Sequence, residues 1–328
     1  MNFANFQLFR EKALRERREL IDCAATNLYA ALARLIPPVT PPPEHQVHRC
    51  HLADEWGQHF GIQPEIAGRA LVSCGVRDSL TLLFRHYAGK DACLWLPADN
   101  YPIYGELARA ARLKLQEFPT LPEPVWPDVA PASPVEILVV TNPLKPLGRW
   151  LTARDVVALI AWLAASPQRR LVLDTVYTFD TRFHPTTFQL LATGQAILLH
   201  SLTKGWLQPR LFGVALVPES DAVALSPMFR AHPPPQPNLA RARELLARHA
   251  DMPVAVSREI SAARKRLIAV LPARFPTLPT EDAPGYLMPI MGHWSDLLKD
   301  TNVLCLPATV FGSPREDITI LSSLSFIV

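Results

Sequence analysis

Apolar positions run through this chain in two rhythms. Five short stretches are almost continuously apolar: ACLWLP (92–97), VEILVVTNP (135–143), RRLVLDTVY (169–177), AILLHSLTK (196–204) and LFGVALVP (211–218). Between several of them lie segments of helical spacing, such as YGELARAARLK (104–114) and TARDVVALIAWLAA (152–165). Continuous Val/Ile/Leu strands separated by helices predict an α/β fold with a mostly parallel sheet covered on both faces. Right-handed crossovers then put the loops, and any ligand, at the carboxyl ends of the strands. Ahead of this unit, Leu14, Leu20, Ile21, Leu28, Leu32 and Leu35 recur at roughly helical spacing and predict a helix over 3–35. Proline runs at 37–43 and 233–237 read as extended linkers. After the second come two helical segments (238–250, 257–271). The mixed stretches GYLMPIMG, VLCLPATVFG and ITILSS then predict a small α+β unit.

Composition narrows the function classes. The 328 residues suffice for one large and one smaller domain, and 49% hydrophobic with 19% charged residues describes an ordinary globular protein. A net charge of +3 does not point to nucleic acid. The basic cluster Arg10, Lys12, Arg15, Arg17, Arg18 is interleaved with Glu11, Glu16 and Glu19, as on a solvated helix face. No apolar run approaches the roughly 20 residues of a membrane span, and the first 20 residues lack a secretory pattern. Five scattered cysteines predict reduced thiols and a cytoplasmic protein. His45, His48, Cys50 and His51 are metal ligands by type, but their spacing fits no closed tetrahedral set, so no metal is expected.

Chemistry concentrates at the predicted strand ends. Asp174 closes one buried strand, and a carboxylate there needs a cation or strong donor to offset desolvation. Tyr177 follows three residues later. The next strand ends in Ser201, Thr203 and Lys204, the lysine among apolar neighbours that favour its uncharged, nucleophilic form. Taken singly, Asp174 reads equally as a helix cap and Lys204 as a sheet-edge charge. Together, carboxylate, phenol, hydroxyls and amine form a pocket suited to an aromatic aldehyde cofactor. The amine condenses with the aldehyde, the carboxylate holds the ring nitrogen's proton, and the phenol bonds the ring hydroxyl.

In these residues the chain resembles the fold-type-I pyridoxal-phosphate enzymes, in particular class I/II aminotransferases of the histidinol-phosphate-aminotransferase kind, from about residue 50 onward. LVSCGVRDSL is similar to the family's phosphate loop, which implies that the backbone N–H groups of Gly75, Val76 and Arg77 meet the phosphate of pyridoxal 5'-phosphate. PADNYPIYG resembles the segment whose first tyrosine, Tyr101, stacks on the ring, and TNPLKPLG resembles the Asn-Pro-x-Asn-Pro-Thr-Gly turn, giving Asn142 and Lys145. DTVY resembles Asp-Glu-x-Tyr, and SLTK resembles Ser-x-Ser-Lys. The resemblance thus implies Lys204 as the Schiff-base lysine and general acid/base, Ser201, Thr203 and Arg210 in the phosphate cup, and Asp174 and Tyr177 as derived above. It further implies a large domain over 46–232 with a seven-stranded type of sheet. A small domain would combine 233–328 with the N-terminal 1–45, and the assembly would be a homodimer acting on a small amino substrate.

Departures from the family pattern fall where substrate is chosen. Lys145 replaces the turn's second Asn, the path from Lys204 to Arg210 is about two residues short, and Thr319 stands where the substrate-carboxylate arginine is expected. Nearby Arg315 is the candidate substitute. Transamination, in a specialised biosynthetic pathway, is the leading expectation. Decarboxylation, β/γ-elimination or cyclisation, or a non-catalytic protein retaining the fold, are the alternatives.

Overall fold

The computed structural model describes residues 2–38, 46–63, 69–130, 133–278 and 284–328. The five apolar runs are strands: β3 (Cys93–Pro97), β5 (Glu136–Thr141), β6 (Arg169–Asp174), β7 (Ala196–Ser201) and β8 (Gly213–Leu216). With β2 (Ala70–Ser73) and β4 (Lys114–Phe118) they form a seven-stranded sheet in the order β2-β8-β7-β6-β5-β3-β4. Neighbours from β7 to β4 pair in parallel, and β8 runs antiparallel to both β7 and β2.

The strands are continuously apolar because both faces are covered. Leu138, Val140, Leu171, Leu173 and Leu198 enter one core, with the helices Arg49–His59, Ala153–Ala164, Pro185–Leu191, Gln236–Arg248 and Met252–Val270. Ile137, Val139, Val172, Ile197 and Leu199 enter the other, under Val76–Ala88, Ile103–Ala110 and Glu219–Ala231. At the amino ends of the central strands the buried charges are paired. Arg169 meets Glu136 at 2.7 Å and Arg170 meets Asp221 at 2.6 Å. The carboxyl ends carry the groups described below.

A second sheet is built from β9 (Leu287–Met291), β11 (Leu306–Pro307) and β12 (Ile318–Ser322), with β12 central and antiparallel to both neighbours. The N-terminal segment departs from expectation. Its helix spans only Phe3–Glu16, and the chain then forms β1 (Ile21–Asp22), which pairs in parallel with β10 (Val303–Leu304). The polar run Arg17–Arg18–Glu19 offers no apolar face to bury, while Ile21 and Asp22 gain backbone partners from a strand some 280 residues away. The helix expected over 104–114 likewise ends at Ala110, after which edge strand β4 begins. At the second proline run, residues 233–235 precede a helix that starts at Gln236. The first run lies mostly outside the described residues. No helix is long and apolar enough to cross a membrane among the described residues.

Candidate active site

The carboxyl ends of β5, β6 and β7 lie side by side, with Thr141 paired to Asp174 and Asp174 to Leu199. They open onto a cavity of about 810 Å³, within the size range of cofactor and substrate sites. Five of the chain's six tyrosines (Tyr29, Tyr101, Tyr104, Tyr177, Tyr286) line it.

Asp174 forms the floor and is almost fully enclosed. Its Oδ2 accepts from Tyr104 Oη at 2.6 Å, and its Oδ1 accepts from the Val176 N–H at 3.0 Å. Burial pushes this carboxyl above its ordinary value, against the Tyr104 and Val176 hydrogen bonds and the nearby Lys145 and Lys204 ammonium groups. Lys204 sits on the short helix Leu202–Gly205, whose N-cap Ser201 accepts from the Thr203 N–H. Its Nζ lies 4.9 Å from the Tyr29 ring centroid and 5.6 Å from that of Tyr177. Burial, and next the charge of Lys145, lower its pKa from 10.5 to about 7, with Asp174 opposing. At neutral pH a large fraction of this amine is therefore uncharged.

At the far wall β2 turns into the helix Val76–Ala88 through Gly75, which has φ +145°. Only glycine adopts this conformation without strain. The first helical bond runs from the Ser79 N–H to the Gly75 carbonyl, so the N–H groups of Val76, Arg77 and Asp78 precede it and have no partner within the helix. The loop is braced by Ser73 Oγ, which accepts from the Gly75 N–H and meets Ser79 Oγ at 2.7 Å. Gly213 on β8 packs against it so closely that a Cβ there would stand 2.6 Å from Gly75 Cα.

Sequence-selected residues thus converge. Gly75, Val76, Arg77, Tyr101, Lys145, Asp174, Tyr177, Ser201, Thr203, Lys204 and Arg210 all line the one cavity. Arg210 reaches it over the short path because Leu207 and Arg210 both take positive φ (54° and 55°). The Arg210 carbonyl is held by Asn238 Nδ2 at 3.1 Å. Two candidates lie elsewhere. Asn142 is fully buried and structural: its Nδ2 donates to Thr186 and Thr187, and its Oδ1 accepts from the Leu151 N–H. Arg315 is turned to solvent and forked onto Asp317 at 2.7 and 2.6 Å. It is corrected here from substrate residue to surface pair, since a guanidinium beside a carboxylate two residues away has its partner already. Thr319 is buried on β12, donating to the Gly292 carbonyl at 2.7 Å. Trp206 packs away from the cavity, its Nε1 donating to the His249 carbonyl. Cys74 borders the cavity with its thiol pKa raised by burial and Asp78, the reverse of a nucleophile's environment. His45 lies outside the described residues. His48, Cys50 and His51 stand at the start of a helix, and no three potential ligands gather for a metal among the described residues.

Sequence reading missed Tyr29, Tyr104 and Tyr286. The clue for Tyr104 was its place three residues after Tyr101, in the first turn of the helix Ile103–Ala110. The others come from remote segments and carried no local signal.

The sequence model of the family described as aminotransferase class I and II matches residues 38–210, just over half of the chain. The chain belongs to the class I and II aminotransferases. Aminotransferases of this family depend on pyridoxal phosphate. Among solved structures, this aminotransferase is similar to an aspartate aminotransferase double mutant of Thermus thermophilus (20% identity, 97% of this chain and 91% of that chain, TM-score 0.68). It is also similar to a methionine aminotransferase of Escherichia coli (17%, 97% and 94%, 0.69) and to an aromatic aminotransferase of Pyrococcus horikoshii (16%, 94% and 91%, 0.69). At these identities the likeness shows the shared fold. No curated protein matches the sequence.

The residues present fit the cofactor. Gly75 opens a helix whose first N–H groups lack helical partners, Gly213 leaves room for that loop, and Ser201, Thr203 and Arg210 line the same cavity. Asp174 stands ready to hold a protonated ring nitrogen, and Lys204 offers an amine.

Proposed function

We propose that this aminotransferase acts on a small amino substrate through Lys204. The observation that carries this reading is the enclosed Lys204 amine, poised near neutrality in the same cavity as the Asp174–Tyr104 pair and the Gly75 helix start. Pyridoxal phosphate, when bound, supplies an aldehyde that condenses with amines and a ring that withdraws electrons from the carbon carrying the amino group.

The chain's own residues supply the rest. The N–H groups of Val76 and Arg77, with Ser201, Thr203 and Arg210, bind the phosphate and fix the ring's position. Asp174 holds a proton on the ring nitrogen, and Tyr104 and Val176 hold Asp174 in place. Tyr101 lies over the site as a stacking ring, and Tyr177 offers a hydroxyl to the ring oxygen. Lys204 Nζ, able to take or give a proton at neutral pH, moves the proton at the substrate's Cα. The aromatic wall of Tyr29, Tyr286 and Phe311 shields that proton transfer from water. The family supports a homodimer and the scattered thiols a cytoplasmic setting.

The test is direct. Purified protein mixed with pyridoxal phosphate should develop a visible absorption band, and borohydride should fix the cofactor's mass on the peptide holding Lys204. The Lys204→Ala variant should show neither. A colourless wild-type protein after this treatment would sink the reading.

A further inference from the structure

Among the described residues, every charged side chain that lines the cavity stands on a strand end, loop or helix start of the large sheet: Arg77, Asp78, Lys145, Asp174, Lys204 and Arg210. The N-terminal segment and the second sheet contribute Thr26, Tyr29, Tyr286, Leu287 and Phe311, which carry no charge at neutral pH. Burial raises the Tyr29 phenol to about 12 and holds that of Tyr286 well above its ordinary value, so both hydroxyls keep their protons.

The fold fixes these rings in place. Tyr29 lies on the short helix Leu28–Ala31, whose N-cap Asn27 accepts from the Ala30 N–H, and it packs against the core. Tyr286 Oη donates to the Thr26 carbonyl at 3.3 Å and lies 3.4 Å from Tyr177 Oη. Phe311 ends a 3₁₀ turn closed by Gly312 at φ +93°, where a Cβ would collide with the Ala98 carbonyl. Phe3 of the N-terminal helix meets Tyr101 and Phe311 with ring centroids 5.5 and 6.2 Å apart.

The Tyr29 ring centroid lies 4.9 Å from Lys204 Nζ. A substrate nitrogen that comes to this amine brings its carbon within a bond or two of it. The group carried on that carbon then falls within reach of the Tyr29 ring. An acidic group set against these rings would lose its water without gaining a cation from them, which is costly. Neither Arg315, paired with Asp317, nor Arg264, which donates to the Gly285 and Leu287 carbonyls, lines the cavity. A methyl-sized group would leave the ring surfaces facing water. An aromatic ring covers them in offset or edge-on contact.

We infer that the substrate carries an uncharged aromatic side chain, received by Tyr29, Tyr286 and Phe311, with Tyr29 the residue that selects it. The inference rests on the proposed role of Lys204, which brings the substrate's amino group to that amine.

Four unreactive amides separate the side-chain classes: 3-phenylpropionamide, 4-methylpentanamide, propionamide and succinamate, whose ends are aromatic, branched, small and acidic. Their dissociation constants are measured by ligand-detected NMR on protein loaded with pyridoxal phosphate. 3-Phenylpropionamide should bind about tenfold or more tighter than propionamide and succinamate. It should bind about threefold tighter than 4-methylpentanamide. Tyr29→Leu keeps the apolar packing but removes the ring. It should bring the aromatic and branched amides within about twofold of each other, and Tyr29→Phe should restore the difference. Equal constants for the aromatic and branched amides, or tightest binding of succinamate, overturn the inference. So does an aromatic preference that Tyr29→Leu leaves intact, because the amide is then held elsewhere. A protein that develops no visible band with pyridoxal phosphate refutes the cofactor reading alone. The amides need no cofactor, and the same constants on the cofactor-free protein and its Tyr29 variants then sustain or overturn the aromatic wall.

Discussion

Lys204 is where the structure makes its most quantitative claim. Its amine has a pKa of about 7 in the fold against 10.5 ordinarily, chiefly through burial and then through Lys145. A drop of that size corresponds to about 5 kcal/mol between the charged and uncharged forms. The folded value is the lower one, so the fold disfavours the proton. Above pH 10.5 neither state carries it and stability is undiminished. As pH falls toward 7 the unfolded chain gains the proton first, and below that value the folded protein bears the whole cost. Replacing Lys204 by Met removes this pH dependence. We expect the cofactor-free Met variant to gain on wild type by about 1.4 kcal/mol for each pH unit lowered. The gain beyond any constant offset would grow from about 1.4 kcal/mol near pH 9.5 to about 4 kcal/mol near pH 7.5, then flatten. The chain's seven tryptophans give a fluorescence signal for urea unfolding at each pH. The slope is the test, because a constant offset reflects only the packing of Met against an uncharged lysine. Parallel stability curves for the two proteins across this range would refute an enclosed, uncharged Lys204.

Gly213→Ala should drive its new Cβ into the Gly75 backbone, which cannot give way as a flexible side chain would. Overpacking of this kind costs about 1–3 kcal/mol, and displacement of the phosphate loop should weaken cofactor binding at least tenfold by absorbance titration. Unchanged affinity would mean that the loop does not hold the phosphate. Tyr104→Phe removes a 2.6 Å donor from the buried Asp174 carboxyl. A hydrogen bond to a charged group contributes about 1.5–3 kcal/mol, so the cofactor's dissociation constant should rise about tenfold or more, and an unaltered constant would leave Asp174 without its ring-nitrogen role. Arg315→Ala should change kcat/KM less than twofold for any amine found to bleach the visible band, because its guanidinium already pairs with Asp317. A tenfold rise in KM would return it to the substrate site.

Sequence alone determined the parts of this protein that depend on local chemistry. Continuous apolar runs are possible only where a strand is covered on both faces, so the five main strands and their helices were legible in the pattern. Asp174, Ser201 and Lys204 were legible because polar groups ending apolar strands stand out against their neighbours, and Gly75 because a glycine opens the helix that follows β2. Tertiary structure decided what sequence spacing cannot express. It placed Tyr29 and Tyr286 in one cavity with Lys204 although 257 residues separate the two tyrosines in the numbering, and it drew Ile21–Asp22 into a strand by offering Val303–Leu304 as partner. It took Asn142 out of the site by burying its amide among Thr186, Thr187 and Leu151, and Arg315 by pairing it at the surface. It also left Lys145 facing the cavity without a counter-charge. Covalent neighbours set which element a residue joins, but the free energy of a charge depends on burial and on partners brought from elsewhere in the chain.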